Sequence, residues 1–282
     1  MPSNNMPEAA NSTRPATDTR VEAGPYVLRE AAGGVVTLTL NRGERFNPLS
    51  SAMIAALQAE LDAIAGDATV RVVVLAARGR GFCAGHDLRE LRAHPDLAWQ
   101  EALFEACGRV MMTLTEMPQP VIARVHGTAS AAGCQLVSGC DLAVASVDAT
   151  FSLPGVNIGV FCTSPAVGVA RNIGRKRVME MLLTGDPIDA ATAQSWGLVN
   201  RVVPAAELDD AVAKFIERVV LRSGTIIALG KRAFYRQIEQ DMGAAYAAAA
   251  EVMSCNLMEP DAHEGIDAFL AKRAPHWKAD LG

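Results

Sequence analysis

Apolar and polar positions follow two rhythms along this chain. In GVVTLTLN (34–41) Val and Leu alternate with Thr, and that period of two predicts a strand. SAMIAALQAELDAIAGD (51–67) changes to helical spacing, with Met53, Ile54, Leu57, Leu61 and Ile64 on one face of a predicted amphipathic helix. VRVVVLAA (70–77) is almost continuously apolar, as expected of a strand covered on both faces. A helix is predicted over roughly 97–116, a Pro-bounded strand over 120–127, and a helix opening near 131. A strand follows over 141–146, then a strand and loop over 149–160. This alternation predicts parallel crossovers in an α/β core. Beyond about residue 200 the pattern is almost wholly helical. The Ala-rich piece 244–250 has little bulk and is expected to pack closely against a neighbour such as another subunit. The implied boundaries are a disordered tail over 1–24, a core over 25–203 and a helical region over 204–282.

Composition narrows the classes. The 282 residues are 50% hydrophobic with a formal charge of −5, which is ordinary for a folded protein and lacks the electrostatic footprint of a nucleic-acid binder. The only tight basic cluster, GRKR (174–177), reads as a solvated helix start. No apolar run approaches 18 residues, so no membrane span is expected. Cys83, Cys107, Cys134, Cys140, Cys162 and Cys255 form no CxxC pair, and the histidines show no HExxH pattern, so neither disulfides nor a metal site are expected. The polar first 24 residues lack the apolar stretch of a signal peptide, contain acids and are poor in Arg. These features predict a cytoplasmic protein.

Two loops rich in small residues follow two buried strands: GFCAGHDL (81–88) and HGTASAAGCQL (126–136). Free N–H groups at helix starts bind anions, and two aimed at one point form an oxyanion hole. The plainer alternative is that Gly and Ala here serve close packing and turns.

LTLNRGERFNPLS, GRGFCAGHDL, HGTASAAGCQL, CDLAVAS and FSLPGVNIGV stand in the order and spacing of the crotonase (enoyl-CoA hydratase/isomerase) superfamily, which the chain resembles over roughly 26–278. The likeness continues through LLTGDPIDAATAQSWGLVNRVVP (182–204) to EGIDAFLAKRAPHW (264–277). AAGCQLV and PGVNIGVFC are most like the subgroup called enoyl-CoA hydratase domain-containing protein 3. The resemblance implies a ββα-spiral core, a C-terminal helical trimerisation region and a homotrimer or dimer of trimers. It implies a coenzyme A thioester as substrate, with no permanently bound cofactor. It maps the two oxyanion-hole N–H donors onto the backbone of His86 and Ala132, where Ala132 replaces the usual Gly. Ala84, Asp87 and Leu88 fall where the family contacts the pantetheine arm and adenine, and Arg45 and Phe46 fall in the loop that meets the nucleotide. Hydrogen-bond donors that stabilise an enolate oxygen are worth about 3–4 kcal/mol each, and several reactions share that intermediate.

Hydratases of the family use two glutamates to position water and move its proton. Here those positions are Gln135 and Gly155. An amide orients water but is no useful base near neutral pH, and glycine does neither. Hydration by the two-glutamate route, and isomerisation that uses the second glutamate as base, are therefore not expected. Asn157 is a candidate substitute facing the pocket. Cys134 and Cys162 read as inert packing. AGHD (84–87) resembles the corresponding run of methylmalonyl-CoA decarboxylase, and decarboxylation needs charge stabilisation more than a strong base; backbone donation from His86 alone would serve. Asp87 and Asp141 read as helix or turn partners, and His126 as a buried, satisfied histidine. Three functions remain open: an acyl-CoA enzyme with weak or no hydratase activity, a non-catalytic acyl-CoA-binding protein, and hydration with Gln135 and Asn157 ordering water.

Overall fold

The computed structural model describes residues 24–278, so the tail expected over 1–24 lies outside the described residues except for Gly24. Strands β1 (Val27–Ala32) and β2 (Val35–Leu40) form an antiparallel hairpin, followed by α1 (Ser51–Ala65), β3 (Val72–Ala77), α2 (Leu88–Ala93) and α3 (Leu97–Glu116). Then come β4 (Val121–Val125), β5 (Ala129–Ser130), α4 (Ala132–Gly139), β6 (Leu142–Ser146) and β7 (Thr150–Ser152). A 3-10 turn over Pro154–Ile158 leads to α5 (Thr163–Asn172), α6 (Arg175–Thr184), β8 (Ile188–Asp189), α7 (Ala190–Trp196) and β9 (Arg201–Val203). Four more helices follow among the described residues: α8 (Leu208–Val220), α9 (Gly224–Gln237), α10 (Met242–Asn256) and α11 (Pro260–Leu270).

The large sheet runs β1-β2-β3-β4-β6-β9 and is parallel from β2 onward. A small sheet runs β5-β7-β8. Successive units place one strand in each sheet and then a helix: β4 and β5 lead into α4, and β6 and β7 into the turn before α5. This is the ββα-spiral α/β core that the resemblance implied. The five apolar positions of α1 are all buried, and β3 is buried along its whole length. The reason is two-sided cover. One face of the large sheet meets the main core with α1 and α3; the other carries Val72, Val74, Ile122 and Val144 against Leu208, Ala211 and Val212 of α8.

A buried charge hub ties α9 to this core. Lys231 Nζ donates to Leu114 O (2.8 Å), Gln119 O (2.9 Å) and Asp141 Oδ2 (2.7 Å). Asp141 also accepts from the Val121 N–H (2.7 Å) and the Tyr235 hydroxyl (3.0 Å). Asp141 is thus a structural partner, as its sequence context suggested. Burial pulls the Lys231 ammonium below the usual lysine range, against the pull of Asp141. GRKR begins α6 with Gly174 as N-cap, the helix start expected of it.

Removing one partner of a buried pair leaves an uncompensated charge. Lys231→Met is expected to destabilise the fold by about 3–5 kcal/mol, read as a drop in the urea midpoint; a shift no larger than that of an Arg29→Met surface control would refute the hub.

Candidate active site

The site forms where backbone segments run side by side. Ala84 N–H donates to Phe46 O (2.9 Å) and Leu49 N–H to Gly85 O (2.8 Å). Phe82 and Cys83 both donate to Thr128 O, Ser130 donates to Cys83 O (2.9 Å), and Ala131 donates to Ser152 O (2.9 Å). Both small-residue loops therefore belong to one continuous ladder. Asn47 holds its first rung: fully buried, it accepts from Arg42 N–H (2.8 Å) and donates to Arg78 O, Gly81 O and Phe82 O. The FNPLS run was visible in the sequence, but nothing there marked Asn47 as the clamp.

The start of α4 is pressed onto the loop after β3. A Cβ on Gly133 would lie 2.1 Å from Cys83 O, so only glycine permits the approach. Gly85 has φ +91°, and a Cβ there would lie 3.3 Å from the Ala132 nitrogen. Covalent geometry then puts the His86 nitrogen within about 7 Å of it. Ala132 is the first residue of α4, where helix N–H groups lack intrahelical acceptors. Among the described residues neither the Ala132 nor the His86 N–H has a hydrogen-bond partner. The two donors assigned by motif position are thus brought together and free.

The His86 ring packs edge-on against Phe104 at 4.9 Å, and its Nε2 is buried without a partner. Burial pulls its pKa down to about 4, against the opposing pull of Glu90, so the ring is neutral near pH 7. Gln135 lies in the first turn of α4, 6% exposed, and its Oε1 has no partner. It lines a cavity of about 930 Å³ that extends along α4. Cys134 is fully buried and its thiol is pushed up to about 12, consistent with packing.

Gly155 is closed off. Its N–H donates to Cys162 Sγ (3.3 Å), and an added Cβ would meet Val160 O at 2.5 Å and Cys162 Sγ at 2.8 Å. Asn157 does not face the pocket as expected: its side chain is exposed and packs on Gly185 at the end of α6. His126 is corrected too. It is half-buried, its Nε2 meets Gly79 O at 2.9 Å, and its Nδ1 is buried without a partner.

Asp87 caps α2 through the Arg89 N–H (3.0 Å) and pairs with Arg45 at 2.6 Å. Phe46 adopts φ 60° and lays its ring against Gly81, with the Arg80 guanidinium 5.4 Å from the ring centre. Ala84 and Leu88 are exposed beside them. All five residues of the expected substrate-binding group thus stand on one rim of the His86 loop.

The family described as enoyl-CoA hydratase/isomerase matches residues 30–280. Enoyl-CoA hydratase domain-containing protein 3, mitochondrial, from Homo sapiens is 40% identical over 273 residues, covering 96% of this chain and 90% of that protein. The crystal structure of the human protein of that name has a TM-score of 0.87 at 41% identity, covering 89% of this chain and 100% of the other. An enoyl-CoA hydratase structure from Mycobacterium smegmatis has a TM-score of 0.89 at 52% identity, covering 90% of this chain and 99% of the other. These relatives also correct the cytoplasmic expectation. The human protein and its rat and mouse counterparts are named mitochondrial. Reduced cysteines and the lack of an apolar signal stretch, on which the expectation rested, do not separate the two compartments.

Two consequences are measurable. Ala131, the residue before α4, sits at φ 49°, ψ −118°, a conformation that side chains resist. Ala131→Gly is expected to stabilise the protein by about 1 kcal/mol in urea denaturation, and a loss of stability would contradict strain at this position. His86 folds from an ordinary value of 6.5 to about 4. Above pH 6.5 both states are neutral and stability is full. As pH falls from 6.5 to about 4 the unfolded chain takes up a proton that the folded chain refuses, and up to about 3 kcal/mol is lost. His86→Gln is expected to flatten this part of the stability–pH curve; parallel curves would show that His86 is not buried as described.

Proposed function

This chain belongs to the enoyl-CoA hydratase/isomerase family, and on that premise we propose that it binds an acyl-CoA thioester and acts on it without the two-glutamate hydration chemistry. The observation that carries this is the pairing of two unpartnered N–H groups, His86 and Ala132, with Gln135 and Gly155 at the positions of the acids. The thioester oxygen sits between the two N–H groups, where charge developing on an enolate is stabilised. Arg45, Phe46, Ala84, Asp87 and Leu88 form the coenzyme A side of the site, with no permanently bound cofactor. Helices α10 and α11 supply the surface of a homotrimer or a dimer of trimers. Met242, Tyr246 and Phe269, 76%, 74% and 82% exposed, support that assembly role. No helix among the described residues is long and apolar enough to cross a membrane.

A second reading, acyl-CoA binding without turnover, is favoured by one specific feature. Neither His86, pulled down to about 4, nor Cys134, pushed up to about 12, is poised as a base near neutrality.

Crotonyl-CoA and a saturated acyl-CoA separate these readings. The conjugated enoyl absorbance is expected to persist over hours while calorimetry shows micromolar binding of the saturated thioester. Robust hydration would refute the role given to Gln135 and Gly155, and absence of binding would refute the thioester site. Turnover of a malonyl-type thioester would favour the enzyme over the pure binder.

A further inference from the structure

The cavity behind Gln135 has charges at its far end that the chemistry above does not use. It is lined there by Arg232 and Arg236, one turn apart on the same face of α9. Like charges at this spacing repel, yet among the described residues neither guanidinium has an ion-pair partner. The other charges in the lining are mostly committed. Arg171 is held by Glu239 at 2.7 Å, and Asp141 by Lys231 and Tyr235. That leaves two unpaired, solvent-exposed arginines against Glu116, in a chamber whose lining mixes apolar Met111 and Val167 with polar Thr115, Ser138 and Asn172.

The chamber also runs along α4, the helix that begins at Ala132. Ala132 begins α4, and Gln135 follows one turn later, nine-tenths buried, its Oε1 without a partner and the residue part of the cavity lining. The eight residues of α4 span about 12 Å. At its other end Asp141 anchors Tyr235 and Lys231, which lie on the same helix as the two arginines. An acyl group fixed by its carbonyl at Ala132, passing Gln135 and following α4, therefore ends at Arg232 and Arg236.

We propose that this chamber selects acyl groups ending in a carboxylate, ω-carboxyacyl thioesters of medium length, with Arg232 and Arg236 as the recognising pair. The proposal rests on the acyl-CoA reading above. Planar guanidinium forks match a carboxylate, and the volume of about 930 Å³ accommodates the chain.

The test compares decanedioyl-CoA with decanoyl-CoA by calorimetry on the full chain, with free coenzyme A as reference. The dicarboxylic thioester is expected to bind about tenfold more tightly, by a margin that narrows with added salt. In the double variant R232Q/R236Q the ratio of the two dissociation constants should fall to about one. Equal or weaker binding of the dicarboxylic thioester to the unaltered protein would overturn the proposal while leaving the coenzyme A site intact. A preference that survives in the double variant would overturn the assignment of the arginines. Failure of both thioesters and of coenzyme A to bind would refute the underlying site, and this proposal with it.

Discussion

The site depends on one backbone contact, the seat of the Cys83 carbonyl in the place where any side chain on Gly133 would begin. That contact sets the distance between the loop after β3 and the start of α4. It brings the Ala132 and His86 N–H groups to one place while the surrounding N–H groups are used in the ladder. Donors with no partner are rare in a protein interior and unfavourable to keep. They persist here because rigid backbone on both sides leaves neither peptide free to turn. Ala131 bears part of this constraint as backbone strain at the entrance to α4.

The surroundings are arranged to keep formal charge away from that point. His86 is neutral and edge-on to Phe104, Gln135 brings an uncharged amide, and the nearby thiols stay protonated. Full charges are placed at the margins, in the Arg45–Asp87 pair on one rim and the Lys231–Asp141 hub at the far end of α4. A low-dielectric pocket with fixed dipoles strengthens hydrogen bonds to a developing oxyanion.

Much of the core was legible because its signals are local and repeated. The alternation over 34–41, the apolar stripe of α1 and the unbroken run of β3 each follow from which faces are covered. β1 escaped notice because VLREAA is mostly solvent-facing on an edge strand, so Arg29 and Glu30 erase its alternation. Helices α2 and α5 likewise escaped notice because they are short and bury few residues, none in α2 and only Pro165 and Val169 in α5. At the candidate site, the motif spacing singled out His86, Ala132, Gln135 and Gly155, but orientation is a tertiary property. The packing of Asn157 on Gly185 and the unpartnered nitrogen of His126 depend on residues far away in the chain. The Asn47 clamp and the Lys231 hub were hidden for the same reason, since each acts on groups from several elements at once.

The crowding at Gly155 bears on how such a chain can change over evolutionary time. With Val160 O and Cys162 Sγ standing where a Cβ would go, position 155 is coupled to the segment that folds back over it. A mutation that introduced an acid there alone would meet a clash before it met any selective advantage. The 160–162 segment would have to move first, in a step that by itself confers nothing on hydration. An acid at position 155 is thus opposed by its neighbours, and any sequence change that places one there is epistatically tied to prior change in the 160–162 segment.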